Sequence, residues 1–551
     1  MQDRTRPTLL ILLLAVVSCA AGTVVIGHGE RPVRPRAMGP TPLISPTNSQ
    51  VEEGSVITIR TSEGDAIWYS VDADGSDERL LGDHVSLLAQ PDRRGTTSAL
   101  CTPTGMQWRH PLFGLPSAMV VRAMEVEGSK ALGPSVMQTY LFTDHGVLPV
   151  VSISIDPDAL YDPDDGIAVV GNGIMHMGQD VLTSYQSDAR WWKYPGNYHG
   201  RGREWERPAR MQLIDPDGRQ MFQCDARIRI NGQMTRGFPQ HAFRLLFDEP
   251  LDVAPFRDGD GVGSEALVLR AAGNDQVKAM MRDAYQHGLC AGLPFETSKA
   301  LTTVVYINGA YQGVHHLRQR MDEKELARRY SVKVSNVALI EDNNVLAHGD
   351  VREVDDFASV VRATEQWDGT GPSWPDSLAK RIDVDGFLTY MAAQMILGNM
   401  DWPAQNVKYW RYAGPSRSTP PLDGRWYFIM GDSDLGFGAN VPVAQDRFGQ
   451  VIRAKVPIAR LFRAMMRSTA FKERFIGIAQ GLLRDQLSST RCLAHLEEIV
   501  ARMDPEMDRH TARWRKPLDK RTWLGEVAIM RHFAQERAGQ VRQQLEQFST
   551  E

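Results

Sequence analysis

Apolar and polar positions change rhythm several times along the chain, and each change marks a different kind of element. Residues 56–59 (VITI), 66–71 (AIWYSV), 119–123 (MVVRA) and 136–142 alternate with polar neighbours, and turn residues such as Asp72-Ala73-Asp74-Gly75 separate them. Short alternating strands with turns between them predict a small all-β sandwich. From residue 148 the runs become more apolar: LPVVSISI, 209–214, ARIRI at 226–230, PQHAFRLLF at 239–247 and 267–269 all read as strands. Residues 304–307 and 311–317 flank Asn308-Gly309, the dipeptide that signals a tight hairpin between two β-like runs. Helical spacing then takes over at 280–289, at 321–330 with Asp322 at its start, and in the apolar stretch 384–397. After Pro457 it returns at 458–466, 471–483, 492–503 and 527–548. The expected fold class is α+β, with strands and helices mixed after residue 148 and mostly helices beyond 455.

Composition narrows this picture. A chain of 551 residues is too long for one ordinary domain. Hydrophobic content of 42% and charged content of 23% are those of a globular protein. Lys and Arg number 62 against 67 Asp and Glu, a net charge of −5, and no basic stripe stands out; nucleic acid is not an expected partner. The five cysteines, at 19, 101, 224, 290 and 492, form no CxxC pair, which argues against a cysteine-built metal site.

The N-terminus has the layout of an export signal: Arg4 and Arg6, an apolar run at 9–18, then Cys19-Ala20-Ala21-Gly22. Val16-Val17-Ser18-Cys19 resembles a bacterial lipobox, which implies a lipid on Cys19. A cleaved signal and an uncleaved anchor stay open, because Val24, Val25 and Ile26 prolong the apolar run. The expectation is an extracytoplasmic protein that meets the membrane only through residues 1–27, with a Pro/Arg-rich linker at 28–41.

The chemistry concentrates in residues 394–438. Asp401 precedes Asn406 by five positions on a segment that follows the apolar helix, and Asp432 and Asp434 follow the strand-like run 426–430. Phosphoryl transfer needs a cation on the phosphates and a carboxylate for the nucleophile's proton. Protein kinases meet this with an Asp-x4-Asn loop and a further metal-binding Asp after a strand. In an extended DSDLGFG, Asp432 and Asp434 share one side, and Mg²⁺ favours such hard oxygens. The same aspartates could serve a metal-dependent hydrolase, or only an Asp-rich turn ended by Gly436 and Gly438. No GxSxG, HExxH or P-loop lysine motif occurs. DPDD at 162–165 lacks the ligand spacing of a calcium loop and reads as turn chemistry. His315 and His316 point to opposite faces of a strand, a poor arrangement for a metal pair.

Read in order, LPVVSI, REWERPA, DARIRINGQMTRGFPQHAFRLLF, LRAAGND, MRDA, YINGAYQGVHHLRQRMDEKEL, GNMDWPAQN and DSDLGFG resemble the spore-coat protein H (CotH) kinase family over residues 148–440, with a helical remainder. The resemblance implies a two-lobed, atypical protein-kinase-like domain at 147–550. It also implies Mg²⁺ (or Mn²⁺) and ATP as cofactors, and Ser/Thr of an exported protein as the acceptor. It makes Asp401 the base, Asn406 and Asp432 the metal ligands, and Asp434 their support. Where the family shows a Pro-Lys-Lys-Ser run this chain has Pro239-Gln240-His241-Ala242, so Arg236 and Arg244 become the candidate phosphate ligands. Gln319 and Gly431 also depart from the family, which carries an acid and a Trp there. Upstream, SPTNSQVEEGSVITIRTSEGDAIWYSVDADGSDE, VRAMEVEG and QTYLF resemble the C-terminal sandwich module of chitobiase/β-hexosaminidase-type proteins, over 42–143. The alternative reading is a pseudokinase scaffold whose sandwich touches a cell-surface polysaccharide. Trp68 and Tyr69 are the residues for that contact, although packing in a core is the expected use of strand aromatics.

Overall fold

The structure, a computed structural model, describes residues 39–63, 66–71, 77–81, 84–91, 99–128, 130–256, 259–368 and 374–550. The export segment with Cys19, the linker up to residue 38 and the Asp72–Gly75 turn lie outside the described residues.

Two small sheets come first. Strands β1 (Leu43–Ser45), β2 (Val56–Arg60) and β5 (His84–Leu88) form one. The other runs β4 (Asp77–Leu81), β3 (Ala66–Val71), β6 (Ala118–Glu127) and β7 (Lys130–Ala131), with β8 (Val136–Leu141) also paired to β6. Alternation sends Ile57 and Ile59 of β2, Ile67 and Tyr69 of β3, and Met119 and Val121 of β6 into one shared core. Trp68 leaves only 3% of its surface exposed and packs on Ala66 and Val126. Both aromatics are therefore packing residues.

Seven strands then close into a barrel: β9 (Val150–Ile155), β10 (Arg207–Ile214), β11 (Gln220–Asn231), β12 (Ala242–Phe247), β13 (Ala266–Arg270), β14 (Ala300–Ile307) and β15 (Ala310–Gln319), in the order β10-β11-β12-β13-β15-β14-β9. Val151, Ile153, Leu213, Ile228, Phe243, Leu245, Leu269 and Leu317 pack in its interior, so it encloses a core and not a channel. The two-lobed expectation does not include this closure. It depends on β14 lying parallel to β9, with Val304 opposite Val150, a pairing for which no local signal exists.

A four-stranded sheet follows, β17 (Val345–His348), β16 (Val337–Glu341), β18 (Val407–Tyr412) and β19 (Tyr427–Met430) in spatial order. Its first three strands and helix Arg352–Gln366 have no counterpart among the expected elements. Helix Val384–Leu397 is buried almost all round, in a core that reaches Phe428 on β19 and Trp523 and Phe533 on the final helix, Lys520–Thr550. Its apolar sequence is that of a central helix rather than an amphipathic one. No helix among the described residues is long and apolar enough to cross a membrane.

Candidate functional site

The segment after helix Val384–Leu397 and the segment after β19 run side by side. Gly398 ends the helix in the left-handed region (φ 71°), and the chain turns through Asn399 to Asp401. Gly431 is needed beside it: a Cβ there would stand 2.3 Å from the Asn406 carbonyl oxygen. The close approach sets Asp432 next to Asn406. Asn399 fixes the same spacing, donating from Nδ2 to the Asp432 carbonyl oxygen at 3.2 Å.

The three polar side chains so gathered keep oxygens open. The Asp401 carboxylate and the Asn406 carboxamide make no hydrogen bond among the described residues, since Asn406 uses only its backbone N–H, on Asp342 Oδ1 at 2.9 Å. Asp432 leaves 31% of its side chain exposed, and its bonds from Arg270 (2.6 Å) and the Asp434 N–H (3.2 Å) both fall on Oδ1. Burial and the charge of nearby Asp432 raise the Asp401 carboxyl above the usual carboxylate range.

Asp434 is different. It is 2% exposed, and its Oδ2 accepts from the Asn274 N–H at 2.7 Å and from Arg270 at 3.3 Å. Burial, then the charge of Asp432, pushes its carboxyl up to about 8. In Asp432 burial pulls the same way, but the charge and hydrogen bond of Arg270 outweigh it and the net shift is downward.

Arg270 thus bridges both aspartates, and its Nε also lies 3.4 Å from Asp283 Oδ2. Asp283 sits on helix Arg282–Leu289, pairs with Arg318, and accepts from the Ser433 N–H at 3.1 Å. Arg270 lies in LRAAGND and Asp283 in MRDA, segments to which sequence alone assigns no chemistry. Their signal is a charged residue at the end of an apolar strand or on a helix whose neighbours are buried.

The other candidates fall elsewhere. Arg236 is 5% exposed and spends its guanidinium on the carbonyls of Gly232 (2.6 Å), Tyr198 (3.2 Å) and Gly200 (2.8 Å). Arg244 stands on the outer face of β12, in the pleat opposite Phe243 and Leu245. Gln240 and His241 are buried on backbone carbonyls, of Val314 at 2.9 Å and Ala168 at 3.1 Å, so neither replaces a phosphate-binding lysine. Gln319 donates to Asp260 Oδ2 at 2.9 Å. His315 and His316 each face a backbone carbonyl on opposite sides of β15, as ordinary strand residues. In DPDD, Asp162 Oδ1 accepts from the N–H groups of Asp164 (2.7 Å) and Asp165 (3.2 Å), which is turn chemistry.

A family model described as CotH kinase protein matches residues 228–541. The chain belongs to the CotH kinase protein family. No curated protein matches the chain. The CotH match begins within β11 and contains every member of the acidic cluster and its arginine partners. Family membership gives the chain a kinase-like function and implies ATP with a divalent metal.

Asn406 and Asp432, both with open oxygens, fit such a metal, and Asp401 stands near enough for Asp432 to shift it. Among the described residues no three His, Cys, Asp or Glu are grouped to hold an ion by themselves. A carboxamide and phosphate oxygens are then needed to complete the shell. A cavity of about 920 Å³ opens along Ala284, His287 and Gly288 of the neighbouring helix, away from Asp401, Asp432 and Asp434. Its polar wall is internally paired, Lys299 with Asp260 and Arg329 with Glu296.

Proposed function

We propose that this CotH protein is a phosphotransferase that moves a phosphoryl group from ATP to Ser or Thr hydroxyls of an exported or surface protein. The observation that carries the reading is the convergence of Asp401, Asn406 and Asp432 with side-chain oxygens left open beside the buried Asp434. Mg²⁺ or Mn²⁺ bound there supplies charge neutralisation for the phosphates of ATP. Asn406 and Asp432 hold the metal. Asp401 accepts the hydroxyl proton, and its raised pKa brings it closer to the pH at which it works. Asp434 supports by position, since its backbone N–H orients Asp432. Export through residues 1–27, with lipid on Cys19, and a chitobiase-like spacer at 42–143 complete the proposal; mass spectrometry of the mature N-terminus tests the lipid.

Labelled ATP with a casein-like acceptor is the direct experiment. Transfer by the wild-type chain is expected to fall about 10²-fold or more in Asp401→Asn, the usual worth of a general base, while ATP binding persists. In Asp432→Ala both transfer and metal-dependent binding are lost. Absence of transfer with either metal sinks the enzyme reading. The hold of Arg270 on Asp432 and Asp434 favours one other reading, a nucleotide-binding scaffold. That protein shifts its melting with ATP and transfers nothing.

A further inference from the structure

The outer face of the barrel carries a row of arginines that no role accounts for. In register, Arg229 of β11 lies opposite Arg244 of β12, Arg244 opposite Val268 of β13, and Val268 opposite Arg318 of β15. All alternate with barrel-filling residues, so they project outward together. Arg244 is also the diagonal neighbour of Arg270, because Phe243 pairs with Leu269. Diagonal positions lie roughly 7–8 Å apart, and Arg270 donates to Asp432. The row therefore ends one pleat away from the carboxylates.

Two of these arginines, with Arg320 just beyond β15, are poorly compensated. Arg244 makes no hydrogen bond or ion pair among the described residues, and its buried Nε has no partner. Arg229 donates only to the Gly202 carbonyl at 3.2 Å and stands 3.8 Å from Glu206, a carboxylate already held by Arg227. Arg320 pairs with Asp322, whose side chain also caps the following helix. Glu341, the other acid near Arg244, is held by Lys408. Burial, then the charges of Arg320 and Arg229, lowers Arg244 to about 9. Half-buried like charges whose few counter-ions are shared with other groups are costly, and a polyanion reduces that cost. Guanidinium groups are suited to it, since each can grip phosphate with two parallel bonds.

We propose that Arg229, Arg244 and Arg320 form the seat for the polyphosphate chain of a nucleoside triphosphate, a reading that rests on the phosphotransferase assignment. Arg236 and Arg318 do not belong to it, the first being spent on carbonyls and the second on Asp283.

Calorimetric titration of the full chain with inorganic tripolyphosphate, ATP and adenosine tests this. Tripolyphosphate and ATP are expected to bind, and Arg229→Gln and Arg244→Gln each to weaken both by about tenfold or more, the worth of a charged hydrogen bond. Arg244→Lys should restore part of the loss. Arg352→Gln, which removes the same charge from an exposed site, should change nothing. Melting curves confirm that each variant folds. Failure of wild type to bind tripolyphosphate, or unchanged affinity in folded Arg229→Gln and Arg244→Gln, overturns the seat. Transfer activity reports separately: labelling without any arginine effect leaves the kinase and removes the seat. Arginine-dependent tripolyphosphate binding without labelling leaves an anion seat and removes the kinase.

Discussion

Arg270 bridges Asp432, Asp434 and Asp283, and Arg318 pairs with Asp283 as well. Two guanidinium groups set among three carboxyls let so many buried polar groups share one place. Removing one cation breaks the balance, and a buried ion left unpaired costs about 3–5 kcal/mol. Arg270→Gln is expected to lower the urea midpoint accordingly, since its side chain is only 17% exposed and the amide keeps shape but not charge. Arg270→Lys should recover less than half, because one ammonium cannot bridge Asp432, Asp434 and Asp283 together. An unchanged midpoint in Arg270→Gln refutes the bridging role. The aspartates of this cluster were legible in DSDLGFG. Arg270 was not, because 162 positions separate it from Asp432, and nothing local says that the two meet.

The hairpin at Asn308-Gly309 shows both what an element's own sequence reveals and where it stops. Positive φ at both residues, 50° and 72°, is the geometry that the dipeptide predicts. Its second task was hidden. Asn308 is 5% exposed, its Nδ2 donates to the Ile155 carbonyl at 2.7 Å, and its Oδ1 accepts from the Ile155 N–H at 2.8 Å. The turn thereby fastens the end of β9 to the hairpin, on the seam that closes the barrel. Asn308→Ala keeps the turn's length but strands a buried N–H and a buried carbonyl. At about 1–3 kcal/mol for each group left unsatisfied, the loss should exceed about 2 kcal/mol in denaturant titration. Asn308→Gly strands the same two groups but avoids the strain that Ala pays at positive φ, so it should cost somewhat less than Asn308→Ala; stability equal to wild type in either variant rules out the fastening. Helix Val384–Leu397 was legible to its ends because a long apolar run has few other uses. Strands β16 and β18 were not, being short and paired with each other across distant parts of the chain, Val337 opposite Tyr412.

At the scale of the whole molecule the two amino-terminal sheets and the barrel are not separable by sequence rhythm alone. Ala118 and Leu141 share a core with Val150, Ile214, Val304 and Tyr306, and Ala118 donates to the Gly309 carbonyl at 2.9 Å. A boundary near residue 145 marks a change of pattern, while the packing runs across it. Five imidazoles of this body are buried and held toward the neutral form. His241, His287, His315 and His316 are lowered to about 4 and His510 to about 3, with burial the largest cause in each. In His287 and His510 a backbone N–H donated to the ring adds to the effect of burial. His287 accepts from the Ser298 N–H at Nδ1 and faces the Gly431 carbonyl with Nε2; His510 likewise accepts from the Val314 N–H and faces the Lys516 carbonyl. Protonation at Nδ1 would set two donors against each other. An unfolded chain takes these protons near pH 6.5, the folded chain only near pH 4. Between those values the unfolded state holds more protons, so stability falls as pH falls through the window. Asp434 acts in the opposite sense, because its folded pKa lies above its unfolded one, and the raised Asp275, Asp383 and Asp401 act with it, but His199 adds to the five imidazoles and the lowered groups outnumber the raised ones. Each fully linked group contributes a slope of about 1.4 kcal/mol per pH unit, so the imidazoles prevail. Urea midpoints measured from about pH 7.5 to about pH 4.5 should hold nearly level and then drop steeply below about 6.5. Stability that is flat or rising over that lower range would show that these histidines are not held neutral.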